Sequence, residues 1–420
     1  MADVRLKWPD TFIFLFSALL LLADMATDIL TAVLYKTRDQ NLWFIICVTL
    51  IAFPSFITCC WSCVASNFRQ TYSENVSSAL VVLDGCFFSC CLGPVTSNLK
   101  LFAFCVGKFK ELWKNVQGII VPEDDEVTSF LGVLLFSLYN DAMNLRVIQG
   151  FLETAPQLIL QSYVIISSWA SEIHIVQVVS IIISFINIVW LVTSYDISKE
   201  YRDLELKWQH KASMLLLNFG IQASRFLAIT VFVVSFRWWL LAVIGFHWLT
   251  VIFMGCFVWS RSERTSRSSH LDVFIVLHVP LFTFMRSLNK FHIIRASDSP
   301  MPLSMEIFIS CVWNLVFACE NLLMAFLVYL KLQTNWYALP GLIVVVLGTF
   351  CGALSLVFDI SLYRWRQKEH ELPTVGRARV GTCETWIENR PEEINLDFSP
   401  AQPQETISDY RETTQSTHNV

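Results

Sequence analysis

Ten apolar stretches separated by polar connectors set the first expectation. They occupy residues 11–35, 42–66, 78–105, 127–168, 174–195, 212–236, 237–259, 271–285, 303–330 and 336–363. Most run for about 18 to 28 residues, enough for a helix rising 1.5 Å per residue to cross a ~30 Å hydrocarbon core. The period-2 alternation of a membrane β-barrel is absent, so the pattern predicts an all-α, polytopic membrane helical bundle.

The connectors assign sides. "NFRQTYSENVS", "GKFKELWKN", "DISKEYRDLELKWQHK", "SRSERTSRSSH" and "RSLNKFHIIR" all carry Lys or Arg, whereas "SSWASE", "RWW" and "KLQTNW" are short and carry little positive charge. Placing every basic connector in the cytoplasm, as the positive-inside tendency asks, is incompatible with ten crossings. The simplest solution makes 78–105, broken by Gly85, Gly93 and Pro94, and 271–285, which holds His278 and Pro280, re-entrant part-way helices. About eight spanning helices remain, with both termini cytoplasmic. The sequon Asn75-Val76-Ser77 then lies in the cytoplasm and stays unglycosylated.

Composition agrees: 55% of residues are hydrophobic, 15% are charged, and mean hydropathy is +0.53. This is an integral membrane protein. A net charge of −5 implies no nucleic-acid partner. Arg5 and Lys7 before an apolar run resemble a signal peptide, but Asp24 and Asp28 interrupt that run, and the stretch reads as a retained first span. Residues 1–10 form a cytoplasmic N-terminus, 11–363 the bundle, and 364–420 a polar tail with few aromatics, expected to be disordered and cytoplasmic. The cysteines fall mostly in apolar runs; Cys60 and Cys63 have the spacing of a metal-ligating or redox pair, but no second such pair and no suitable His cluster accompanies them, so no metal and no cofactor are expected. No phosphate loop, nucleophile elbow or zinc helix motif occurs, and the chain is not read as an enzyme.

The candidate chemistry lies in polar stripes inside the apolar stretches. Asp24 and Asp28 are one turn apart, with Ser17 below, Thr27 and Thr31 beside and Tyr35 above, a track about 27 Å long at 1.5 Å per residue. Gln149, Glu153, Gln157 and Gln161 repeat every fourth residue, with Arg146 before them near an interface and Pro156 expected to bend the helix. Asn218, Gln222 and Arg225 form another stripe; Glu320 and Asn321 interrupt a later run, and Asp84 sits in the first re-entrant stretch. A central Asp or Arg costs about 2.5–3.5 kcal/mol on insertion, while each Leu or Phe returns at most about 0.6. Such residues persist where they meet partners, face water or perform a task. One reading is structural: interhelical hydrogen bonds plus an ion pair of Arg225 with Glu153 or Asp28, with His247 and His278 satisfied locally. It leaves Asp24, Asp28, Asp84, Glu153 and Glu320 facing one deep base.

At "NLRVIQGFLETAPQLILQSYV" the sequence resembles the XK-related family, whose most recognisable motif is the run matched by Phe151–Leu158. The paired aspartates, Arg225 in "SRFLAITVFVVSF" and the acid-Asn pair of "ENLLMAFLVYL" are similar to the family's as well, and Asp196 and Lys199 resemble an acid-base pair near the end of the corresponding helix. The resemblance implies about eight spans plus two part-way helices. It also implies phospholipid scrambling, which in several members exposes phosphatidylserine on apoptotic cells after caspase cleavage of a terminal tail. The tail departs from that pattern: it has no Asp-x-x-Asp sequence, and "SLYRWRQ" replaces a His-Pro after the last helix.

The expectation is an ATP-independent scramblase of the plasma membrane acting on membrane phospholipids. Asp24, Asp28, Glu153, Gln157, Arg225 and Glu320 form the headgroup path, with Gln149, Gln161, Gln222, Asp84, Asp196 and Lys199 as secondary candidates. The stripes are expected to meet around one hydrated groove, carboxylates engaging a headgroup ammonium and Arg225 its phosphate. Two rival readings are a docking subunit for a single-span or lipid-transfer partner, and an ion-coupled solute carrier using the same acids.

Overall fold

The computed structural model describes residues 8–70, 95, 99, 102, 143, 145–167, 173–200, 208–259 and 303–371, all within one compact unit. Among them every regular element is helical: α1 (Trp8–Thr37), α2 (Asn41–Gln70), a π-helical turn Gly150–Thr154 continuing into α3 (Ala155–Ser167), α4 (Ile175–Glu200), α5 (Trp208–Phe236), α6 (Trp239–Trp259), α7 (Leu303–Lys331) and α8 (Ala338–Glu371). Among the described residues five segments are long and apolar enough to cross a membrane: Ile13–Thr37, Ile175–Ile197, Trp208–Phe236, Cys311–Lys331 and Ala338–Phe358. The stretches 78–105 and 271–285, expected to be re-entrant, lie outside the described residues, as does the tail from residue 372.

Two short links use backbone geometry that side chains rarely adopt. Asp39 has φ 58°; its N–H reaches the Lys36 carbonyl at 3.2 Å and the Gln40 N–H reaches that of Tyr35 at 3.0 Å, the paired bonds of a Schellman stop. Aspartate tolerates the left-handed region better than most residues. Arg237, at φ 45°, closes α5 by donating its N–H to the Val233 carbonyl. Each link reverses the chain within a few residues, so α1/α2 and α5/α6 are tight antiparallel pairs.

Residue pairing fixes helix directions. Asp24 and Asp28 meet Thr154 and Gln161 in ascending order but Ser184 and Ser180 in descending order. Hence α3 runs parallel to α1 and α4 runs antiparallel to both. Helix α8 descends along α5: Ser224 donates to the Val345 carbonyl, and a Cβ on Gly220 would lie 2.5 Å from the Cys351 sulfur. A Cβ on Gly348 would fall 2.3 Å from Ser224 Cβ and 2.4 Å from the Gly220 carbonyl oxygen. Small residues one turn apart on both helices thus allow backbone contact, the usual way to gain van der Waals energy between helices in lipid. Helix α7 runs parallel to α5, with Arg225 against Asn321 in mid-helix and Ser235 against Lys331 at the ends. Successive described helices alternate in direction, so the chain leaves α2 and enters the α3 segment on the same side. The same holds between α6 and α7.

Where a bend is expected at Pro156, the turn before it is π-helical. Pro156 has no N–H to give Leu152, and the Ala155 N–H bonds the Gly150 carbonyl, widening the turn. Gly150 also lets the segment approach α4: a Cβ there would meet Leu191 Cδ2 at 2.2 Å.

One apolar cluster joins Phe14, Phe151, Leu158, Ile188 and Phe226, and a second joins Ile229, Phe232, Met324 and Val345. Large apolar side chains such as Leu19, Leu30, Leu249 and Phe350 are exposed on the outer faces. A surface of that kind suits lipid and not water. Exposed Trp208 begins α5, while Trp238, Trp239 and Trp336 gather at the opposite end, where indole rings favour the headgroup layer.

Candidate functional site

The polar stripe of α1 forms a buried seam with α3 and α4. Asp24 Oδ2 accepts from Thr154 Oγ1 and Asn187 Nδ2, both at 2.8 Å, and Oδ1 accepts from Ser184 Oγ at 2.6 Å. One turn on, Asp28 Oδ1 accepts from Gln161 Nε2 and Ser180 Oγ, both at 2.9 Å. At the other end Trp190 Nε1 donates to Ser17 Oγ at 2.9 Å. Asp24 is 4% exposed and Asp28 0%. The aspartates therefore gather neutral donors from two other helices, and among the described residues no basic side chain is a hydrogen-bond partner of either.

The glutamine stripe stands beside this seam, as its spacing anticipated. Gln149 Nε2 donates to Glu153 Oε2 at 3.1 Å, and Gln157 Nε2 donates to the Cys47 carbonyl at 2.9 Å, tying the motif helix to α2. All four of Gln149, Glu153, Gln157 and Gln161 are buried. Among the described residues Asp28 Oδ2, Gln149 Oε1, Gln161 Oε1 and Asn187 Oδ1 accept no hydrogen bond despite full burial. Buried oxygens of this kind are costly until a donor reaches them, which makes the seam receptive to an ammonium group or to water.

Arg225 does not join the aspartates. Its Nη1 lies 2.9 Å from Glu320 Oε2 and 2.8 Å from Asn321 Oδ1, and the guanidinium sits 4.8 Å from the Phe317 ring centre. His247 Nδ1 is 3.0 Å from both Glu320 oxygens. The ion pair expected with Glu153 or Asp28 is thus made with Glu320, because α7 runs alongside α5 and brings its acid to the same depth. The single set expected around one groove is two hydrogen-bonded sets, one on α1, α3 and α4 and one on α5, α6 and α7.

The secondary candidates divide in the same way. Asp196 is buried near Asn218, whose Nδ2 donates to Thr193 Oγ1 at 3.0 Å and lies 3.5 Å from Asp196 Oδ2. Gln222 is buried on α5. Lys199 lies on α4, its side chain outside the described residues, as Asp84 is entirely. Arg146, expected near an interface, is 1% exposed and adds a second buried base. Sequence reasoning missed the face of α4 that holds the aspartates. Gln177, Ser180, Ser184 and Asn187 are spaced three, four and three apart, one helix face, and that periodicity was available. His247, read as a locally satisfied histidine, is a partner of Glu320. Among the described residues no group of three His, Cys, Asp or Glu is placed to hold a metal ion.

Comparison with known proteins places the motif run in context. Residues 12–365 match the XK-related protein family. A 61-residue segment is 39% identical to XK-related protein 9 of Tetraodon nigroviridis, covering 14% of this chain and 16% of that protein. A 200-residue segment is 24% identical to XK-related protein 8 of Gasterosteus aculeatus, covering 46% of this chain and 45% of that one. The matching segments thus span less than half the length of either relative. The family match, in contrast, takes in every helix that builds the two polar sets: the chain belongs to the XK-related protein family.

Proposed function

We propose that this chain is an ATP-independent phospholipid scramblase of the plasma membrane. It has eight spanning helices and two part-way helices, and both termini are cytoplasmic. The observation that carries the reading is the seam itself: carboxylates, hydroxyls and amides of α1, α3 and α4 are stacked along about 27 Å of helix. The barrier to flipping a lipid is the desolvation of its charged head in hydrocarbon, and a ladder of polar contacts lowers it in steps. Separation of α1 from α3 and α4 exposes that ladder, and headgroup ammonium groups exchange with the hydroxyl and amide donors that the aspartates now hold. Movement is downhill and bidirectional, includes phosphatidylserine, and fits a role in its exposure on apoptotic cells.

The test is reconstitution of the full chain in liposomes holding a fluorescent phospholipid, followed by external dithionite. Scrambling takes the bleach beyond the outer-leaflet half, and Asp24→Ala with Asp28→Ala slows it while the protein still folds. A bleach that stops at half for folded wild-type protein, before and after proteolytic removal of residues 372–420, refutes the proposal. In that event activity that depends on residues 370–420 and a partner favours the docking reading, and transport driven by a cation gradient favours the carrier.

A further inference from the structure

The Arg225 set differs from the aspartate seam in that it already holds an anion. Resting on the scramblase reading, we propose that Arg225 is a phosphate subsite whose resident anion is the chain's own Glu320, with Asn321 as the guanidinium's displaceable neutral partner and His247 as the group that holds Glu320 when it is displaced. A phospholipid phosphate reaches it from the lipid side, through a cleft between α7 and α8, and moves the Glu320 carboxylate from Arg225 onto His247.

Three observations carry this. First, Glu320 is shared: Oε2 lies 2.9 Å from Arg225 Nη1, while both oxygens lie 3.0 Å from His247 Nδ1. A carboxylate displaced from Arg225 keeps its hydrogen bond to His247, while the incoming phosphate replaces it as counter-anion to the guanidinium. Second, the cleft leads to this place. A cavity of about 260 Å³ is lined by Ser224, Asn314, Phe317, Asn321, Gly348 and Gly352 among others, and of these Asn321 and Phe317 contact the guanidinium. Asn321 is a neutral partner and is cheaper to displace than a charged one. Third, the mouth faces lipid: Leu315, which lines it, is 64% exposed, and neighbouring Leu354 and Val357 are exposed on α8.

The chemistry selects the ligand class. A buried guanidinium must keep a counter-anion, so only an anionic group can take the place of Glu320, and a phosphate matches the fork of N–H donors. Lipids with a phosphodiester qualify whatever the headgroup; diacylglycerol does not. The aspartate seam and this subsite therefore divide the headgroup, ammonium to one and phosphate to the other.

Equilibrium binding to the purified full chain tests this without requiring flipping, using dioctanoyl phosphatidylserine, dioctanoylglycerol and inorganic phosphate as probes. Glu320→Gln removes the resident competitor and should bind the phosphatidylserine at least about tenfold more tightly than wild type, since a tethered anion competes at high effective concentration. Arg225→Gln combined with Glu320→Gln should lose that gain, and dioctanoylglycerol should bind no variant better than wild type. Thr349→Leu, which fills the cleft, should weaken phosphatidylserine and leave inorganic phosphate unchanged. Equal affinity of Glu320→Gln and wild type, or a gain that survives loss of Arg225, overturns the subsite; indifference to Thr349→Leu overturns the lateral route. If Glu320→Gln does not fold, Asn321→Ala serves instead, with a several-fold gain expected and no change counting against the proposal. Wild-type scrambling is read separately in liposomes, so that failure of the function and failure of the subsite are told apart.

Discussion

Replacing Asp24 by alanine isolates what the seam contributes to stability. The carboxylate accepts hydrogen bonds from Thr154, Ser184 and Asn187, at 2.6–2.8 Å. Interhelical hydrogen bonds inside membranes average about 0.6 kcal/mol and reach about 1.7, whereas bonds to charged groups in proteins run to about 1.5–3 kcal/mol. Three bonds therefore give about 2 to 5 kcal/mol, with the lower half favoured because Thr154 and Ser184 can rotate their hydroxyls onto carbonyls of their own helices. Asn187 has no such escape: its Oδ1 is already without a partner, and loss of Asp24 strands its amide as well. Asn187→Leu in the Asp24→Ala background should thus recover about 1 kcal/mol or more, while Thr154→Val recovers little. Asp28, with two donors on one oxygen and none on the other, should cost less on truncation, about 1 to 3 kcal/mol. Denaturant titration of purified protein, arranged as double-mutant cycles, reads all of these values. If Asp28→Ala costs as much as Asp24→Ala, or Asn187→Leu rescues nothing, the bonds described do not hold the seam together.

Three other outcomes follow from the packing and the topology. Gly348→Leu should destabilise by several kcal/mol, because even its Cβ meets Ser224 and the Gly220 carbonyl, whereas Gly245→Ala on α6 meets nothing within 4 Å and should be neutral or gain up to about 1 kcal/mol of helix propensity in the same titration. Arg225→Gln should cost about 3–5 kcal/mol by leaving Glu320 buried with His247 alone, and adding Glu320→Gln should return much of it; purely additive losses would show that the pair is not coupled. Asn75 should carry no glycan when the chain is expressed in a secretory-competent cell, and a mass shift removed by a glycosidase would reverse the proposed sidedness.

Much of this molecule is legible in one dimension because lipid is a demanding solvent. Backbone polar groups must be satisfied within each segment, so long apolar runs become helices, and the described parts of these runs are helical. Expensive residues stand out for the same reason: Asp24, Asp28, Glu153, Arg225 and Glu320 were visible against hydrocarbon, and the described structure buries each one. Gln149, Glu153, Gln157 and Gln161, spaced four apart, are all buried. Cheap polar residues were harder to see. Ser180, Ser184 and Asn187 cost too little on insertion to draw notice, yet they supply Asp28 and Asp24 with donors.

The sequence by itself determined that the chain is a helical membrane protein, where its described helices lie, and which side chains cannot remain alone in lipid, since each of these depends on the cost of a residue in its own segment. Partner choice depends on which helices lie side by side. Gly150 admits α4 beside the motif helix, and Gly220 with Gly348 draws α8 against α5. The parallel run of α7 and α5 gives Arg225 to Glu320 and leaves the two aspartates to hydroxyls and amides. Charge alone would have paired Arg225 with any acid at its depth, and the packing of small residues between helices decided which one it meets.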